Sequence, residues 1–405
     1  MNVEYIKLAK AKGVLNKSYN KLVDKSELSD FGEETIQDVL NFQKSHSAYT
    51  NTPLVSLDNL ADYLNIKSIH VKDESHRFGL NAFKVMGGIY AVGKYLANKL
   101  NKDINTLSFD ELKSEKVSEA IGELTFISAT DGNHGRGIAW AARELGQKSI
   151  IYLPKGSTQA RLEAIRNEGA FAEIKDMNYD DTVRLCAELA EEKGYVMVQD
   201  TAWDGYEEIP LWIMQGYAAI AKEIAEEMKN LPTHLILQAG VGSFAAGIVA
   251  YYLNRYGDKA PKIILVEPCL ADCYYQSFKS PEQNIVPITG EMNSIMAGLC
   301  CGEPNIQAYD ILKQYAFASF STQDEIAALG MRVLGNPLRG DKRIISGESG
   351  AVPLGLMFYL CEYGSDADFK KLNIDENSSI LVLSTEGDTD PKNYLDVVWN
   401  GNYSI

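Results

Sequence analysis

The sequence predicts an α/β protein with two open, mostly parallel twisted sheets, helices on both faces, and a smaller domain inserted in a larger one. Three observations predict it. Short β-rich apolar runs recur along the chain, each followed by a turn and then a helical pattern. Those runs are nearly continuous in apolar residues, as strands covered on both faces must be. At 405 residues the chain exceeds the size at which one core keeps growing, and no Pro/Gly-rich linker divides it, so a second domain is inserted rather than appended.

Residues 1 to about 50 carry mixed charge and read as surface elements. The buried strands follow in order as "SIHVKD", "TFISAT", "SIIYLP", "YVMVQD", "HLILQAG", "KIILVEP" and "SILVLSTEG". Between them lie the amphipathic stretches "RGIAWAARELG", "QARLEAIRNEGA", "DDTVRLCAELAEEKG" and "WIMQGYAAIAKEIAEEMKN". Several end in glycine or asparagine, the expected helix stop. The polar segment Asn101 to Gly122 reads as an excursion between helices. Strand and helix in alternation place ligands beyond the carboxyl ends of the strands.

A net charge of -16 argues against nucleic acid or an anionic membrane as partner, since either needs a basic stripe. The start "MNVEYIKLAKAKGV" lacks the apolar core of a signal peptide, and no run approaches the roughly 18 apolar residues that cross a bilayer. A cytoplasmic protein is expected. The six cysteines show no C-x-x-C spacing and read as scattered thiols, with a pairing of Cys269 or Cys273 with Cys300 or Cys301 left open.

Five turns hold residues able to do chemistry. In "LILQAGVGSFAAG", Gly240, Val241, Gly242 and Ser243 join a strand to a helix start, where backbone amides and the helix dipole favour an anion. The same window fits a dinucleotide fingerprint with Glu267 as ribose partner, or a turn needed only for packing. "FISATDGNHGRG" crowds Thr130, Asp131, Asn133 and His134 at a strand end, either as helix caps or as a ligand site. Asp200 closes a third strand. "ISGESG" and "LVLSTEGDTD" hold Ser346, Glu348, Ser384, Thr385, Asp388 and Asp390 in spacings that demand no metal, and none is expected. Lys84, in "RFGLNAFKVMGG", is either a lysine lying along apolar surface with its charge in water or an amine kept dry for a purpose. No Walker A, G-x-S-x-G or H-E-x-x-H motif is present.

Taken jointly, "AFKVMGG", "ATDGNHGRG", "AGVGSFAAG" and "LVLSTEGD" resemble, in order and spacing, the pyridoxal-phosphate enzymes of the tryptophan-synthase-β fold, which include serine and threonine dehydratases. Further stretches, among them "KDESHRFGLNAFK", "DMNYDDTVRL", "QDTAWDGY" and "IMAGLCCGEPN", extend the likeness over nearly the full chain to the ammonia-lyases of that family that act on 2,3-diaminopropionate. The resemblance implies pyridoxal 5'-phosphate as cofactor, a homodimer, and an active site in the cleft between a larger domain (1–89 and 216–405) and a smaller mobile one (90–215). It implies that Lys84 holds the cofactor covalently and that Asn133 meets its ring oxygen. Gly240, Val241, Gly242 and Ser243 would bind its phosphate and Ser384 its pyridine nitrogen. Phe83, Met86, Gly87 and Gly88 are expected to keep the Lys84 amine partly neutral and to leave room for a flat ring.

The implied reaction is α,β-elimination to pyruvate and two ammonia by way of aminoacrylate, with Lys84, Asp131 and Asp200 as catalytic residues. Asp131 departs from the small neutral residue of the dehydratases. A carboxylate there suits a substrate with a second, cationic amine, and serves either to bind that amine or as a base on the ring face opposite Lys84, which admits D- and L-substrates. Thr130, His134 and Asp200 complete the expected substrate contacts. The alternatives are a serine/threonine dehydratase-like or cysteine desulfhydrase-like β-eliminase and, more remotely, an NAD-dependent oxidoreductase or a non-catalytic binding protein.

Overall fold

Apolar runs that alternate faces every residue leave each central strand with core on both sides. In the strand His234–Gln238, Leu235 and Leu237 join one hydrophobic cluster and Ile236 the other. In Ser379–Ser384 the split is Leu381 and Leu383 against Ile380 and Val382. These strands are therefore buried throughout.

The computed structural model describes residues 4–26 and 28–405, so residues 1–3 and 27 of the expected larger domain lie outside the described residues. The strands are β1 Tyr5–Lys7, β2 Ala11–Leu15, β3 Leu54–Ser56, β4 Ser68–Asp73, β5 Thr125–Ala129, β6 Lys148–Leu153, β7 Phe171–Ile174, β8 Val196–Met197, β9 His234–Gln238, β10 Lys262–Pro268, β11 Ala316–Thr322 and β12 Ser379–Ser384. Eight form one sheet in the order β1-β2-β11-β10-β9-β12-β4-β3, and four form another in the order β7-β6-β5-β8. The larger sheet is parallel from β11 to β4 and antiparallel at its edges. The smaller is parallel throughout.

Three helices fix the chain around Lys84: Val85–Lys99, Asn133–Glu144 and Glu208–Glu227. Their backbones approach closely because glycines face each other. A Cβ on Gly137 would stand 2.9 Å from Val85 Cα, and one on Gly88 3.2 Å from the Gly137 carbonyl carbon. A Cβ on Gly87 would stand 2.7 Å from the Tyr217 ring. This corrects the expectation for the Gly87–Gly88 pair. Their missing side chains admit neighbouring helices, not a cofactor ring. Among the described residues no helix is long and apolar enough to cross a membrane.

Candidate active site

The carboxyl ends of β5, β8, β9 and β12 and the start of the helix Val85–Lys99 converge on one narrow cavity of about 40 Å³. Lys84, Asp131, Asn133, His134, Asp200 and the turn Gly240, Val241, Gly242, Ser243 all line it. An outer chamber of about 540 Å³ adjoins it, and the two share Asp131 and Tyr179. Asp131 thus stands at the mouth between them.

Lys84 precedes the first turn of its helix, and its Nζ donates to Asp200 Oδ2 inside the cavity. It also lies 5.6 Å from the centroid of the Phe83 ring and 5.9 Å from that of Tyr217. Burial pushes the amine's pKa down, but the Asp200 carboxylate, with help from Tyr217 and Asp131, outweighs it and holds the pKa above the ordinary lysine range. The expectation of a partly neutral amine is therefore corrected for the protein alone: its apolar neighbours are present, and an ion pair overrides them.

Asp200 is itself buried. Burial raises its pKa, while His134 and Lys84 lower it by more, to about 2. Tyr179 Oη donates to Asp200 Oδ1 at 3.5 Å and accepts from Gln199 Nε2 at 2.8 Å. His134 Nδ1 sits 3.8 Å from Asp200 Oδ2, and its Nε2 pairs with the Val198 carbonyl at 3.0 Å. Burial leads the lowering of the His134 pKa, which favours the neutral ring.

Facing Lys84 is the glycine turn. Gly242 has φ +94°, a left-handed conformation open to glycine, and Tyr274 packs against its α-carbon and donates to the Val241 carbonyl at 3.0 Å. The helix Ser243–Tyr256 starts there and aims its first amides at the cavity end. Ser243 Oγ accepts from Asn305 Nδ2 at 2.8 Å and donates to the Asp200 carbonyl, which ties the turn to the smaller sheet.

Two expected contacts stand elsewhere. Thr130 is fully buried behind the turn, its Oγ1 accepting from Gly132 and Gly135 amides at 2.9 Å each, and it does not line the cavity. Ser384 donates to Ser346 Oγ at 2.8 Å, and the next residue, Thr385, forms the wall instead. One step along a strand end reverses the face. Asn133 lines the cavity and donates to Glu386 Oε2 at 2.5 Å. Glu386, Gln238, Ser349 and Tyr179 are lining residues that sequence reading missed. Only Glu386 had a visible signal, as the carboxylate inside "STEGD".

Glu267, the dinucleotide reading's ribose partner, instead accepts from the amides of Tyr274 and Tyr275 at 2.7 Å each and from Ser319 Oγ at 2.9 Å. Burial pushes its carboxyl up to about 8. It is a buried helix cap, which removes that reading. Asp390 caps the helix Pro391–Val398, and Asp388 accepts from Asn81. All six cysteines are free, so neither Cys269 nor Cys273 is bonded to Cys300 or Cys301.

The residues present fit pyridoxal phosphate. An amine and a helix N-terminus line one cavity, and of the other residues lining it Gln238 Oε1, Ser349 Oγ and His134 Nδ1 are buried without a hydrogen-bond partner among the described residues.

Comparison with known proteins agrees. A profile for pyridoxal-phosphate dependent enzymes matches residues 46–382. The diaminopropionate ammonia-lyase of Escherichia coli strain K12 is 51% identical over 369 residues, 90% of this chain and 91% of that protein. The crystal structure of the Escherichia coli enzyme in complex with D-serine superposes with a TM-score of 0.90 at 47% identity, covering 97% of this chain and 98% of that one. A second, in complex with an aminoacrylate-PLP azomethine reaction intermediate, superposes with a TM-score of 0.89 at 46% identity over 99% of this chain and 100% of that one. A cavity with Lys84 opposite a glycine turn, inside a fold shared over almost its whole length, leads to one conclusion: the chain belongs to the diaminopropionate ammonia-lyases of the pyridoxal-phosphate dependent enzyme family.

Proposed function

We propose that this protein catalyses the pyridoxal-phosphate-dependent α,β-elimination of 2,3-diaminopropionate, D and L, to pyruvate and two ammonia. The observation that carries the substrate reading is Asp131, a carboxylate at the mouth of the cavity that holds Lys84. A dehydratase substrate offers it no second cation, whereas the β-ammonium of diaminopropionate does.

Lys84 would hold the cofactor, the amides behind Gly240, Val241, Gly242 and Ser243 its phosphate, and Asn133 with Thr385, the neighbour of Ser384, its ring. When bound, that ring supplies a sink for the electron pair left as the Cα proton departs. With the cofactor in place, Lys84 Nζ would be the group to take the Cα proton on its own face of the ring. Asp131 pairs with the β-ammonium or takes the proton on the opposite face. Asp200 steadies the charge on Lys84 Nζ and is itself oriented by Tyr179 and His134. Ammonia leaves Cβ, and the aminoacrylate set free is hydrolysed by water to pyruvate and a second ammonia. The family likeness further supports a homodimer, and six free thiols fit a reducing, cytoplasmic setting.

The test is pyruvate release from D- and L-diaminopropionate against D- and L-serine. Faster turnover of either diaminopropionate than of both serines is expected, and preference for serine would hand the chain to the dehydratases. In Asp131→Asn, we expect the D-rate to fall on the order of 10²-fold further than the L-rate. An unchanged ratio of the two rates removes the second base.

A further inference from the structure

Gln238 closes β9, and the scheme above gives it no task. Its side chain is buried and lines the cavity that holds Lys84. Nε2 donates to the Leu383 carbonyl at 3.1 Å and to Thr385 Oγ1 at 2.7 Å. A backbone carbonyl only accepts, so the amide cannot be turned over, and its NH2 end must face β12 and the residue that follows it. Oε1 is left without a partner among the described residues.

The direction of the bond to Thr385 follows. A threonine hydroxyl has one proton and two lone pairs. Thr385 Oγ1 gives a lone pair to the Gln238 N–H, so its own proton cannot lie along that bond, and it meets no acceptor among the described residues. Thr385 is buried and lines the same cavity. Its backbone is pinned as well. The Thr385 carbonyl accepts from the Phe83 amide at 3.0 Å, Ala82 and Glu386 form an antiparallel bridge, and the Gly387 amide donates to the Asn81 carbonyl at 3.0 Å. This short ladder holds Thr385 in fixed register with Lys84, the residue after Phe83. On the other side the helix Glu348–Tyr363 closes in, since a Cβ on Gly350 would stand 3.0 Å from the Thr385 amide nitrogen. The neighbouring Ser384 hydroxyl donates to Ser346 Oγ and has no proton left for a ligand.

We infer that Gln238 is a positioning residue: it fixes the Thr385 hydroxyl as a donor, and the group that hydroxyl takes is the unprotonated ring nitrogen of pyridoxal phosphate. This rests on the place given to Thr385 beside the ring in the proposed function, and it adds the residue that orients it. Of the cofactor's other acceptors, the phosphate is assigned to the glycine turn and the ring oxygen to Asn133. A protonated ring nitrogen is itself a donor and would set two donors against each other. The neutral nitrogen's lone pair is the acceptor that the hydroxyl lacks.

The test compares pyridoxal phosphate with the analogue in which a C–H replaces the ring nitrogen, each titrated calorimetrically into cofactor-free protein. Wild type is expected to prefer pyridoxal phosphate by about 5- to 10-fold, the size of one neutral hydrogen bond. Thr385→Val removes the donor and is expected to bind the two within about twofold of each other. Gln238→Glu keeps the shape but sets an acceptor against the hydroxyl and turns its proton back, so the preference is expected to vanish there too. Gln238→Met, which frees the hydroxyl to rotate, is expected to lie between. A purely structural role for Gln238 would weaken both ligands alike and leave their ratio unchanged. Melting of the cofactor-free variants shows that they are folded. No preference in wild type, or a preference that survives in Thr385→Val or Gln238→Glu, overturns the inference. Absence of pyruvate release by wild type would instead remove the proposed reaction, and the ratio would still decide Gln238.

Discussion

Two clusters in this protein bury a lysine, an arginine and carboxylates, and only one of them faces a cavity. In the first, Lys72 donates to the Thr52 carbonyl at 2.7 Å and pairs with Glu223 at 3.1 Å. Arg77 holds Glu74 and Glu223, and Thr52 Oγ1 donates to Glu74 at 2.5 Å. Every charge there is matched, and the result is a rivet between the segment before Lys84 and the helix Glu208–Glu227. In the second, Lys84 and Asp200 pair across a cavity with Asp131, beside Arg161, at its mouth, and polar atoms of Gln238, Ser349 and His134 have no partner. Burial of charge alone does not mark function. Unused bonding capacity among the residues that line a cavity does.

The sharpest break in that comparison is Lys84→Ala. Pyruvate release is expected to fall by on the order of 10³-fold or more, since the amine proposed to hold the cofactor is lost, with a smaller loss of stability than in the next variant, because one buried carboxylate is stranded and Asp200 keeps Tyr179 and Gln199 as partners. Next comes Glu223→Ala, which strands both Lys72 and Arg77 in the interior. Breaking such a pair costs about 3–5 kcal/mol, so chemical denaturation is the measurement. If instead Lys84→Ala unfolds the protein and Glu223→Ala keeps full stability, the two clusters have been assigned the wrong way round.

How legible this was depends on where each signal lies. Seven runs chosen for continuous apolar character all contain strands, because the centres of parallel sheets admit little else. Of the five strands missed, three explain themselves. β11, "AFASFST", looks polar, yet its Ser319 is buried because it donates to Glu267, a partner 52 residues away. β1 and β2 form the antiparallel margin of the larger sheet within a mixed-charge segment, with β1 at the edge and β2 between it and β11. The chemistry-bearing turns were visible because glycine and polar residues cluster at strand ends. What they contact was not: Ser384 and Thr385 differ by a single step along the chain, and only the fold decides which faces the cavity.

The smallest expected effect concerns the Lys84–Asp200 pair itself. Asp200 is depressed from 3.8 to about 2, so its contribution to stability is present above the ordinary carboxylate range and lost as pH falls through about 2. Lys84 is raised, so its contribution is present below the ordinary lysine value and lost only as pH rises above it. The pair therefore stays closed across the whole physiological window, and pH alone does not free the amine. Two opposed forces act on Lys84 Nζ, burial pushing its pKa down and the carboxylate pulling it up, and Asp200→Asn removes the second while leaving the first. The amine of the cofactor-free variant should then deprotonate at least about one pH unit lower than in wild type. The pH dependence of its reaction with an amine-directed reagent measures that shift. A midpoint that stays in place would mean that Asp200 does not govern the amine, and that the apolar walls around Lys84 leave it in contact with water.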